Sequence, residues 1–157
     1  MKKSKIIQAL IVGIMSAIAV SLTLHLNLYT WVLFMAWVSF FVFGKEPKKM
    51  VLTFAQIVLG MGIGILMMVK GHFLEGMFGV FGAPIAIIVV MALFMYFVPN
   101  LKPINTIPAY FMGIIIFFGT HPKLNVTEIG LILITVITGF LFAWITQKME
   151  HIFVGEH

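Results

Sequence analysis

The side chains able to do chemistry are few and scattered. There are five histidines, five glutamates, no aspartate and no cysteine in 157 residues. Without cysteine there is no thiolate nucleophile, no disulfide and no thiolate metal site. His25, His72, His121, His151 and His157 nowhere recur at the i, i+4 spacing that sets two imidazoles on one helix face, so no metal site is expected. A Ser–His–carboxylate hydrolase needs an ordered polar cleft, which nothing in this pattern supplies. No catalytic residue, enzyme activity or cofactor is therefore expected. Lys70, His72 and Glu75 read as a connection between apolar stretches, and Glu128 as the first turn of the last helix. No carboxylate then lies at depth, where a proton-coupled transporter would carry Asp, Glu or His. Such a pattern favours passive movement, or no transport.

Neutral polar groups remain: Ser39 and Gln56 within the apolar stretches, Thr30, Asn105 and Thr106 at their ends. Hydroxyls in membrane helices mostly bond back to their own backbone or to a neighbouring helix. The Gln56 amide is too polar to face lipid, so it either lines a pathway or joins two helices. Trp37, in mid-stretch, suits an aromatic constriction or a packed core, whereas Trp31 and Tyr110 sit near stretch ends, where aromatic belts anchor helices. His25, in a His-Leu-Asn sequence, reads as a solvated turn. The pathway candidates are thus Trp37, Gln56, Asn105, Thr106, Pro108, Tyr110, Thr30 and Ser39.

The elements holding these groups follow from composition. The chain is 62% hydrophobic and 10% charged, against roughly 45–50% apolar in a soluble domain. A soluble fold of this length could not hide that much apolar surface, so lipid is its natural solvent. Ten lysines and no arginine fall between the apolar runs rather than on one basic face, which argues against nucleic acid as a partner. Punctuation by Lys, Pro, Asn and His leaves six stretches, 6–24, 28–43, 50–69, 77–98, 107–118 and 126–146. Runs such as IAIIVVMALFMYFV lack the alternation of barrel strands. The expected fold is an all-α integral membrane domain over 1–157 that crosses about six times. The first stretch is taken as a retained membrane helix rather than a cleaved signal, because no small-residue cleavage site precedes Asn27.

An internal repeat is visible at an offset of 75 residues, where Gly44, Pro47 and Lys48 overlie Gly119, Pro122 and Lys123. The same register sets Gly64 over Gly139, and one residue of slippage sets Thr30 over Thr106. Two repeats, about 6–70 and 77–148, would each run long, short, long. A repeat with an odd number of crossings enters the membrane inverted, as in many channels and secondary transporters. Short or Pro-interrupted segments in matching positions are the best pointer to a pathway in such proteins. The flank Lys102-Pro103-Ile104-Asn105-Thr106-Ile107-Pro108 carries two prolines, so it suits either a pore lining or an interfacial loop with Pro108 in the first turn of a short helix. If all six stretches cross with the N-terminus inside, eight lysines lie inside and only Lys70 and Lys123 outside, which places both termini in the cytoplasm. A re-entrant fifth stretch would exchange Lys123 and Lys148, so crossing and re-entry stay open. Gly60 and Gly64 on the third stretch, Gly13 and Ala17 on the first and Gly139 on the last give small-residue faces for helix packing, within a chain or in a homo-oligomer.

The string Trp31-Val32-Leu33-Phe34-Met35-Ala36-Trp37-Val38-Ser39-Phe40-Phe41, with Ile107-Pro108-Ala109-Tyr110-Phe111-Met112-Gly113 before a Phe-rich end, resembles the bacterial inner-membrane family catalogued as domain-of-unknown-function family 1097. The resemblance spans nearly the whole chain. It implies a small multi-spanning protein of the bacterial cytoplasmic membrane and transfers no catalytic residue. Two functions are expected from the residues: a channel-like or facilitative pathway for a small-molecule solute, or a non-transporting scaffold that packs through its glycine faces.

Overall fold

A computed structural model describes residues 2–154, with side chains from residue 4 onward. Its elements are all helical: α1 (Lys2–His25), α2 (Thr30–Phe43), α3 (Pro47–Phe78), α4 (Gly82–Phe97), α5 (Ile107–Thr120) and α6 (Val126–Val154), with single 3-10 turns at Gly79–Phe81 and Val98–Asn100. Three runs are long and apolar enough to cross a membrane: Ser4–His25, Pro47–Asn100 and Val126–Val154. The second is folded in two by the turn after α3. Large apolar side chains stay exposed along these helices, Ile88 and Ile14 among them, as suits surfaces solvated by lipid. The protein is an all-α chain of the membrane type.

The helices form two compact units, 1–45 with 123–157 and 46–122. The first holds α1, α2 and α6; the second holds α3, α4 and α5. Each therefore takes one long helix from the opposite half of the sequence.

In the second unit, α3 and α4 make an antiparallel hairpin. Gly79 turns the chain at φ 55°, a left-handed value that glycine adopts without steric cost. Gly82 then lies on the backbone of Leu74 and Glu75, too close for a Cβ, and Gly71 sits opposite Ala83. The sequence pattern ends the third stretch at Val69 and puts Lys70, His72 and Glu75 in a connection. The structure corrects this, since α3 runs on to Phe78. The physical reason is that no proline interrupts that stretch, and helices tolerate isolated glycines such as Gly71 and Gly76. Polarity alone misplaced the boundary. Deeper in the hairpin Met67, Val90 and Ile114 cluster, followed by Phe94, Val98 and Tyr110. Helix α5 lies along α3 with backbone near backbone. Gly60 meets the Tyr110 carbonyl, Gly113 meets the Ile57 carbonyl, and Gly64 lies under the Phe117 ring.

In the first unit, α1 ends with Asn27 in the left-handed region at φ 52°, and the Leu28 N–H donates to the Thr23 carbonyl at 2.9 Å, a Schellman closure. Gly139 of α6 lies against the Leu33 carbonyl and Ala36 of α2. The start of α6 is capped from both sides. The Glu128 N–H donates to Asn125 Oδ1 at 2.8 Å, while Glu128 Oε2 accepts from the Lys123 N–H at 2.7 Å.

The two units bury corresponding positions. Ile11, Met15, Ala19 and Thr23 of α1 fall on Ala86, Val90, Phe94 and Val98 at an offset of 75. The six buried residues of α2, Val32 through Phe40, fall on the six of α5, Ala109 through Phe117, at an offset of 77. All seven of α6, Ile132 through Thr146, fall on Thr53 through Met67 of α3 at an offset of 79. Among the buried helical residues described, Gly71 and Gly82 lack a buried counterpart. The offset grows by two at each connection because the second half's links are longer: 101–106 against 26–29, then 121–125 against 44–46. The single offset of 75 read from the sequence therefore holds only for α1 and α4. Gly139 occupies the position of Gly60 rather than Gly64, and Thr106 that of Tyr29 rather than Thr30. Thr106 and Tyr29 both precede a short helix, with nearly the same backbone angles, φ −81° and ψ 84° against φ −81° and ψ 94°.

Candidate functional site

Five of the pathway candidates lie where α5 begins. Gln56 is 1% exposed, and its two amide ends are committed: Nε2 donates to the Leu52 carbonyl at 2.9 Å and Oε1 accepts from the Thr106 backbone N–H at 2.7 Å. The second bond links residues fifty positions apart and satisfies an amide at the start of α5 that no helical carbonyl could reach. Tyr110 O–H donates to the Ile104 carbonyl at 2.8 Å, and its ring packs on Phe94 with centroids 5.3 Å apart. Asn105 Nδ2 donates to the Pro99 carbonyl at 3.4 Å. Together these bonds fix the irregular stretch 98–106 that the prolines create. Pro108 occupies the first turn of α5 and is exposed. The first turn of α5 thus holds Pro108 where its missing N–H costs no helical hydrogen bond.

The remaining three candidates lie on α2 and do not converge on one point. Trp37 is buried, stacked on Phe34 at 5.9 Å and tilted against Phe142 of α6 at 6.1 Å. Ser39 donates back to the Met35 carbonyl at 2.8 Å. Thr30 shares a 2.8 Å hydroxyl–hydroxyl bond with Thr23 of α1. Thr23 also donates to the Val20 carbonyl on its own helix at 2.9 Å, as hydroxyls in membrane helices commonly do. Thr135 and Thr146 donate to carbonyls one turn back on α6. Among the described residues, no buried side-chain nitrogen or oxygen lacks a hydrogen-bond partner.

Of the small residues, Gly60, Gly64 and Gly139 sit at close helix contacts, whereas Gly13 and Ala17 are exposed and nothing lies within 4 Å of a Cβ built on Gly13. Gly113, the tightest contact of α5, is not among the small residues that sequence spacing marks for helix packing. The pattern of buried neighbours on α5 marks it, but glycine content alone does not.

The second unit also contains a cleft of about 120 Å³, lined by Met67, Met68, Gly71, His72 and Glu75 of α3, Ala83 and Ile87 of α4, and Phe118 of α5. Helix α5 ends at Thr120, whereas α3 runs on alongside the start of α4, where Gly71 sits opposite Ala83. His72 Nδ1 lies 2.9 Å from the Met68 carbonyl oxygen.

No curated protein and no solved structure matches the chain. Residues 9–151 match the family described as Protein of unknown function (DUF1097). That match takes in both strings that carried the resemblance and all but the outermost turns of α1 and α6, so the chain belongs to the DUF1097 family.

Proposed function

We propose that the chain is a channel-like or facilitative transporter for a small solute, built from two inverted three-helix halves in the bacterial cytoplasmic membrane. One observation carries this reading: the burial pattern of α1, α2 and α3 recurs in α4, α5 and α6. Halves with an odd number of crossings pack as an inverted pair, a plan used to hold a solute site at the short segments. Helices α2 and α5 have 14 residues each, about 21 Å against roughly 30 Å of hydrocarbon, so their ends lie at membrane depth. Six crossings, both termini in the cytoplasm and a homo-oligomer complete the proposal. Trp37, Ser39 and Thr30 in one unit, and Gln56, Asn105, Thr106, Pro108 and Tyr110 in the other, are its lining candidates.

A second reading is favoured by the saturation of the buried polar groups. If each is spent inside its own unit, the chain serves as a scaffold, and the open faces at Gly13 and Gly62 receive another protein. The two are separated by stopped-flow light scattering on proteoliposomes with water, urea, glycerol, formate and ammonium, beside empty liposomes. Transport predicts accelerated flux for one solute that falls on alanine substitution at Gln56 or Trp37. Equal rates with and without protein for every solute would remove the transport reading and leave the scaffold.

A further inference from the structure

The cleft of the second unit gathers the donors of a soft-metal site. Met68 and His72 are one helical turn apart, so their side chains share a face of α3, and Met67 reaches the same cleft from its buried side. Glu75 stands at the exposed rim. Because a carbonyl oxygen only accepts, the contact to Met68 puts the proton of the neutral His72 ring on Nδ1 and leaves the lone pair on Nε2. A backbone carbonyl holding the second ring nitrogen is the arrangement that orients a metal-ligating histidine.

The donor set selects the ion. Among the described residues, no three His, Asp or Glu side chains come together, so a divalent ion such as Zn(II) lacks its usual ligands. Two thioethers and one imidazole suit Cu(I), a soft ion content with low coordination. A single positive charge also costs less to bring beside apolar helices than two would, and the Glu75 carboxylate offsets it. We propose that this cleft binds one Cu(I) ion through the Met67 and Met68 sulfurs and His72 Nε2, with Glu75 balancing the charge. The site does not depend on the transport reading.

The test is an anaerobic titration of the detergent-purified full chain against a chromophoric Cu(I) chelator, with Zn(II) in parallel. The expected result is one Cu(I) per chain withdrawn from the chelator, weakened at least tenfold by His72→Ala and by Met68→Leu. Met50→Leu, outside the cleft, should leave it unchanged, and circular dichroism should report intact helices in all three variants. Failure to withdraw Cu(I), equal affinity in the wild type and both cleft variants, or stoichiometric uptake of Zn(II) instead would overturn the proposal.

Discussion

Adding one methyl group at two glycines should change stability in opposite directions. A Cβ built on Gly139 lies 2.5 Å from the Leu33 carbonyl oxygen and 2.7 Å from the Ala36 Cβ, where ordinary contact begins at 3.4 Å. Helices α2 and α6 would have to part by about 1 Å, since neither a backbone oxygen nor a Cβ can swing aside. A gap of that size forfeits a quarter to a half of the dispersion along the contact, and overpacked cores lose about 1–3 kcal/mol. Alanine returns up to about 1 kcal/mol of helix propensity. The expected net for Gly139→Ala is a loss of about 1 kcal/mol. Gly13→Ala meets nothing within 4 Å, so only the propensity gain of about 0.5–1 kcal/mol remains. Unfolding in mixed micelles by SDS titration measures both. With Trp31 and Trp144 replaced by Phe, Trp37 fluorescence reports the α2–α6 contact, because the indole lies 6.1 Å from Phe142. If Gly139→Ala proved as stable as Gly13→Ala, the close approach of α2 and α6 would be wrong.

Gln56→Leu should leave the Thr106 N–H without a partner and cost about 1–3 kcal/mol. Hydrogen–deuterium exchange across 98–110 should speed up, and unchanged protection there would show that the bond does not hold the stretch. Asn125→Ala removes the cap of α6 and should cost about 1 kcal/mol, with faster exchange confined to the first turn of that helix. Loss spread over the whole of α6 would contradict a local cap.

The sequence by itself determined the solvent and the number of helices. An excess of apolar residues leaves no soluble option, and Lys, Pro and Asn cut the runs near where the helices end. The start of α5 at Ile107 was legible because proline fits a first turn and little else. The extension of α3 through Lys70, His72 and Glu75 was hidden, because charge signals exposure and not the end of a helix. Only tertiary structure decided partners. That α6 packs with α1 and α2, and α3 with α4 and α5, follows from backbone approaches at Gly139, Gly60 and Gly113, whose sequence neighbours look alike. The fate of Gln56 was decided in the same way. Its amide had to find a partner in an apolar setting, but that the partner is the Thr106 N–H, fifty residues away, depends on α5 lying against α3.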